Sequence, residues 1–124
     1  MRSILVLDDD PEIRRLYRKA LEPEGFAVFE AAGSGVAHDA LLVEHIDLVL
    51  LDIDLPVVDG ELFYRYLATF HQELPVIVNS VYPPEEQKRL IRNAAGYFDK
   101  AQGITALLAE VRRVLGCRPA GAKI

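Results

Sequence analysis

Five short apolar runs, each followed by a segment that reads as a helix, leave this chain few folds to choose from. Ile4-Leu5-Val6-Leu7 is ended at once by three acids, and an unbroken apolar run of that length fits a strand buried on both faces. Asp10 then caps a helix with Pro11 at its first position; Ile13, Leu16, Tyr17, Ala20 and Leu21 mark one face, and Gly25 closes the segment. The pattern repeats with Phe26 to Phe29 as strand, a helix from about Ser34 to Glu44, and Ile46 to Leu51 as the most apolar and therefore central strand. After a turn at Asp59-Gly60, Leu62, Phe63, Tyr66, Leu67 and Phe70 give a third helical stripe, and Pro75 to Val78 a fourth strand. Pro83-Pro84-Glu85-Glu86 opens another helix, Gly96-Tyr97-Phe98 is a short fifth strand, and Ile104, Leu107, Leu108, Val111, Val114 and Leu115 are the buried side of a closing helix.

Five such units with short connections imply an α/β fold, a doubly wound parallel sheet with five helices in a three-layer sandwich, because right-handed crossovers place helices on both faces. The expected strand order is 2-1-3-4-5, and ligands of such sheets sit beyond the carboxyl ends of strands 1 and 3. The 124 residues, 51% hydrophobic, suit one domain, expected over 1–116 with 117–124 as a tail or linker stub. A domain of this size buries roughly two-thirds of its unfolded surface, so a metal would serve function rather than hold the fold. Cys117 is the only cysteine, a bystander that suits a reducing compartment. No apolar run approaches the roughly 18 residues of a membrane span and no signal-peptide pattern opens the chain, so the expected location is cytoplasmic, without membrane contact. With 14 basic against 19 acidic residues and a charge of −5, direct nucleic acid binding by this domain is not expected.

The strand-end rule selects the residues that carry chemistry. Asp8, Asp9 and Asp10 follow strand 1, Asp52 and Asp54 follow strand 3, Ser80 ends strand 4 and Lys100 follows strand 5. Two carboxylates held roughly 4 Å apart repel by several kcal/mol at an effective dielectric near 20, unless one protonates or a cation intervenes. The donors are hard oxygens without His or Cys, which fits Mg²⁺, with Mn²⁺ or Ca²⁺ as alternatives, better than zinc. Asp10 reads as a helix cap rather than a ligand, because Pro11 follows it directly. His38, His45 and His71 have no motif spacing, and the charged run from Glu85 to Arg92 reads as a solvated helix face.

Leu7-Asp8-Asp9-Asp10, the segment Leu51-Asp52-Ile53-Asp54-Leu55-Pro56-Val57-Val58-Asp59-Gly60, Pro75 to Ser80, and Gly96-Tyr97-Phe98-Asp99-Lys100 together resemble the four signatures of response-regulator receiver domains, in order and over nearly the whole chain. The resemblance implies the flavodoxin-like version of the sheet, as in the chemotaxis regulator, and a phosphorylation switch of two-component signalling. It implies Asp52 as phosphoacceptor; Asp8, Asp9 and Asp52 as Mg²⁺ ligands, Asp8 mainly through water, with Asp54 adding its backbone carbonyl; Ser80 and Lys100 as phosphoryl-sensing groups; and Tyr97 as a switch aromatic, unless it is ordinary core. It also implies a histidine kinase or histidine phosphotransfer protein as donor, and an output face over helix 4, strand 5 and helix 5, residues 84–115, read by an effector domain or protein or by a phosphorylation-dependent homodimer. Such a chain is a signalling protein rather than a turnover enzyme, either a stand-alone receiver or a piece of a larger regulator.

Four positions depart from or modulate the pattern. Ala101 stands where the family usually has proline; a cis bond before a non-proline residue costs about 2.5–4 kcal/mol, so a trans Lys100-Ala101 bond and a rearranged loop are expected. Val81 replaces a small residue beside the access path to the acceptor, and Asp54 and Tyr82 occupy positions that influence how long the phosphoryl group lasts. Two rival functions remain: a small phosphatase of the haloacid-dehalogenase type, which also forms an aspartyl phosphate but carries its Asp-x-Asp motif on the first strand, and a receiver-fold interaction module that does not need phosphorylation.

Overall fold

The computed structural model describes residues 1–54 and 60–116. The sequence segment Leu55 to Asp59 and the expected tail at 117–124, with Cys117, lie outside the described residues. Strands and helices alternate: β1 (Ser3–Leu7), α1 (Pro11–Leu21), β2 (Ala27–Ala31), α2 (Ser34–Val43), β3 (Leu48–Asp52), α3 (Gly60–Phe70), β4 (Val76–Ser80), α4 (Pro84–Leu90), β5 (Gly96–Asp99) and α5 (Ile104–Leu115). All strands pair in parallel in the order β2-β1-β3-β4-β5, as expected.

The period-2 alternation of a strand explains why the apolar runs carry no polar residue. Ile4, Val6, Leu48, Leu50, Ile77 and Phe98 face one way and pack against Tyr17 and Leu21 of α1 and Leu107 and Val111 of α5. Leu5, Leu7, Val49, Leu51, Val76 and Val78 face the other way, against Ala37 of α2, Phe63 and Leu67 of α3, and Ile91. Each fully buried Leu or Ile contributes roughly 1.5–3 kcal/mol relative to exposure, so the sheet ends are held by a core sealed on both sides.

Several local expectations need correction. Leu16, Leu62 and Phe70 are exposed, Phe70 by 71%, because the helices need only a narrow stripe to cover the sheet and these residues lie at its margins. The first helix ends at Leu21 rather than running to Gly25; a 3₁₀ turn at Glu22–Glu24 follows, and Gly25 closes that turn with φ +94°, where a side chain would be strained. Strands β2, β3 and β4 reach one to two residues further toward their carboxyl ends than the apolar runs, because Glu30, Asp52, Asn79 and Ser80 continue the pairing. The run from Glu85 to Arg92 is not wholly solvated: Gln87 and Ile91 are buried. Helix α4 has only seven residues, set between Pro83-Pro84 and a left-handed Asn93 (φ +63°).

Candidate functional site

Register delivers the acids to one place. Leu7 pairs with Leu51, so the next residues, Asp8 and Asp52, leave adjacent strands side by side, and both are buried. Each carboxylate is held in the same way. Asp8 Oδ1 accepts the Asp10 amide and Asp52 Oδ1 accepts the Asp54 amide, both at 2.9 Å, which are turns closed by a side chain two residues back. Their Oδ2 atoms share one ammonium: Lys100 Nζ lies 3.0 Å from Asp8 and 3.1 Å from Asp52. Asp9, exposed, brings a third carboxylate, and one oxygen from each of Asp8, Asp9 and Asp52 lies within 4.8 Å of the others. Asp10 caps α1 by accepting the Glu12 amide, as read from Pro11.

Three carboxylates against one lysine leave a surplus of negative charge in a buried corner. Burial pushes the Asp52 carboxyl up to about 6; the Asp54 amide pulls it back, Asp8 pushes it further up, and Lys100 lowers it. Burial works against the Lys100 ammonium, yet Asp52 and Asp8 outweigh it and raise its pKa. Asp8 Oδ2 is buried and, although paired with Lys100 at 3.0 Å, receives no hydrogen bond of good geometry. Three converging carboxylates, all hard oxygen donors and balanced by a single ammonium, suit a divalent cation, so Asp8, Asp9 and Asp52 fit Mg²⁺.

The remaining expected residues surround this corner. Ser80 ends β4 and is fully buried; its hydroxyl donates to Asp54 Oδ2 at 2.7 Å and accepts the Tyr82 amide at 3.1 Å. Val81 and Tyr82 lie on the surface of the β4–α4 loop. Tyr97 is half-buried; its hydroxyl donates to Ile91 O at 2.6 Å and accepts the Ala94 amide at 3.1 Å, and Lys88 Nζ stands 5.6 Å from its ring centre. The Lys100-Ala101 bond is trans, and Lys100–Gln102 forms a 3₁₀ turn in which Asp99 Oδ1 accepts the Ala101 amide at 2.8 Å and Gln102 Oε1 accepts the Asp99 amide. A proline at 101 has no such amide to give.

Four residues near the site are not assigned to it by the sequence. Arg14 donates to Asp8 O at 2.7 Å and pairs with Glu30, bracing the β1 end from α1. Tyr17 packs under the site, its hydroxyl pushed up to about 12 by burial. Gln87 is fully buried and donates to Tyr82 O at 2.7 Å and Phe98 O at 2.8 Å. Asn79, opposite Asp52 in the β3–β4 pairing, is buried with its side-chain oxygen unpaired. Helical spacing flagged Tyr17, and Asn79 breaks an apolar run; Arg14 and Gln87 carried no signal. Gly60, read as a turn, does more: a Cβ there would come within 2.8 Å of Asp52 O and closer still to Ile53 Cα.

The response regulator receiver domain model matches residues 4–112. This chain belongs to that family. The receiver is 37% identical over 117 residues to the KDP operon transcriptional regulatory protein KdpE of Escherichia coli, covering 93% of this chain and 52% of that protein. It is 31% identical to sporulation initiation phosphotransferase F of Bacillus subtilis, covering 91% of this chain and 93% of that one. The chain thus spans about half the length of the transcriptional regulators it matches. Among solved structures, response regulator protein TrrA of Thermotoga maritima, in complex with Mg²⁺-BeF, superposes with a TM-score of 0.83 at 26% identity, over 92% of this chain and 99% of that one. The flavodoxin-like sheet and the two-component assignment follow, and a phosphoacceptor role goes with them. Among the described residues, no helix is long and apolar enough to cross a membrane.

Proposed function

We propose that this receiver takes a phosphoryl group onto Asp52 from a phosphohistidine of a histidine kinase or phosphotransfer protein, with Mg²⁺ held by Asp8, Asp9, Asp52 and the Asp54 carbonyl. The observation that carries this reading is the single Lys100 ammonium shared by two buried carboxylates beside Asp9. When bound, Mg²⁺ neutralises charge on the transferring oxygens and aligns donor with acceptor. An Asp52 oxygen attacks phosphorus, the P–N bond to the donor imidazole breaks, and an acyl phosphate forms. Lys100 exchanges its contact with the Asp52 carboxylate for one with the new phosphoryl oxygens, and the Ser80 hydroxyl donates to them. Movement of Ser80 shifts the β4–α4 loop, and Tyr97 with it, so that α4, β5 and α5 present a different face to an effector domain or to a second receiver. The TrrA complex with Mg²⁺-BeF supports this by analogy. Asp52 ends the third strand, which speaks against the phosphatase reading. Titration with Mg²⁺ and beryllofluoride, followed by amide NMR, tests the proposal: shifts at Asp8, Asp52, Ser80 and Lys100 are expected, and a spectrum that ignores both additions would return the chain to an interaction module.

A further inference from the structure

The Ser80 hydroxyl is already spent. A serine hydroxyl has one proton to donate, and here it goes to Asp54 Oδ2 at 2.7 Å. Asp54 is exposed, yet its backbone is fixed by donating to Asp52 Oδ1 at 2.9 Å, so its carboxylate is held beside the acceptor and over the end of β4. The bond is charge-assisted, and such bonds are roughly twice as strong as neutral ones. From Ser80 the connections continue: the Tyr82 amide donates to Ser80 Oγ at 3.1 Å, Tyr82 O accepts from Gln87 Nε2 at 2.7 Å, and the same amide group donates to Phe98 O at 2.8 Å, next to Tyr97. Gln87 is fully buried and both its N–H groups are committed, so the β4–α4 loop cannot move without either breaking a bond at Gln87 or carrying β5 along.

We propose that the Asp54 side chain is a resting-state latch: it holds the Ser80 proton away from Asp52, and through Tyr82 and Gln87 it biases the β4–α4 loop and β5 toward the inactive arrangement. This rests on Asp52 being the phosphoacceptor. A phosphoryl group there competes with Asp54 for one proton, and its apparent pull is reduced by the fraction of molecules in which the latch is closed. Asp54 is therefore a positioning residue that sets the threshold of the switch. Because Asp54 is exposed, water replaces the Ser80 hydroxyl at its carboxylate when the latch opens and recovers part of the lost bond, so the bias corresponds to about 3- to 10-fold in apparent affinity.

The test is a titration of the full chain with Mg²⁺ and beryllofluoride, read by amide NMR, for wild type, Asp54→Ala, Asp54→Asn, Ser80→Ala and the Asp54→Ala/Ser80→Ala double variant. Replacing the side chain leaves the Asp54 carbonyl in place. Asp54→Ala is expected to bind about 3- to 10-fold more tightly and, without ligand, to move the Tyr82 and Phe98 amides part of the way toward their bound positions. Asp54→Asn, which keeps an acceptor but not its charge, is expected to fall between the two. In the Ser80→Ala background the Asp54 substitution is expected to change nothing. Equal tightening with and without Ser80 would show simple charge repulsion and overturn the latch, as would a wild type that binds while Asp54→Ala gains nothing. A wild type that fails to bind at all overturns the phosphoacceptor reading itself, and the latch with it.

Discussion

Replacing Asp52 with asparagine is expected to make the metal-free protein more stable, and the structure sets the size of the effect. The Asp52 carboxyl rises from an ordinary value of 3.8 to about 6, chiefly through burial. At 1.36 kcal/mol per unit, the ionised side chain costs the fold about 3 kcal/mol at neutral pH. Asparagine removes that charge and still accepts the Asp54 amide, but its own N–H groups face the Lys100 ammonium, so the expected gain is about 1–3 kcal/mol, or roughly 4–12 °C in Tm for a domain of this size. The sign follows from proton binding. Between 3.8 and 6 the folded state holds a proton that the unfolded state has released, so stability from this group is fully present below 3.8 and is lost as pH rises through 6. Calorimetry in EDTA should therefore show Asp52→Asn well above wild type at pH 7.5 and close to it at pH 4, with Mg²⁺ raising the wild type at pH 7.5. A variant no more stable at pH 7.5, or an advantage undiminished at pH 4, would refute the reasoning.

Gly60→Ala should cost at least about 2 kcal/mol by urea unfolding, because its Cβ meets the Asp52–Ile53 backbone rather than a movable side chain. Ala101→Pro removes the amide that the Asp99 carboxylate caps and should cost about 1 kcal/mol in the same assay, despite restoring the residue usual in the family. Val81→Ala should speed phosphorylation by acetyl phosphate several-fold, measured by loss of the resting amide spectrum; an unchanged rate would clear Val81 of limiting access.

The sheet was readable because each strand contains a short apolar run and each run is followed by helix signals, a combination that few topologies accept. Asp8, Asp52, Ser80 and Lys100 were readable for the same reason: once strand ends are known, residues just beyond them share a rim. What escaped was set by partners that the sequence does not bring together. Gln87 looks like one polar residue in a charged helix, and only the approach of Tyr82 and Phe98 makes it an interior link. A stripe of apolar residues does not say how wide the covered strip is, so Leu16, Leu62 and Phe70 share a helical face with core residues and yet are exposed. The Asp54–Ser80 contact joins residues 26 positions apart through the orientation of one exposed side chain, for which no spacing rule exists.

Helix α4 is under two turns long, bounded by prolines on one side and a left-handed asparagine on the other. A segment that short cannot sustain itself in water, and it stays folded because Gln87 and Ile91 tether it to the sheet. This helix thus has little free energy of its own to defend. Its amides should exchange with deuterium well before those of α5.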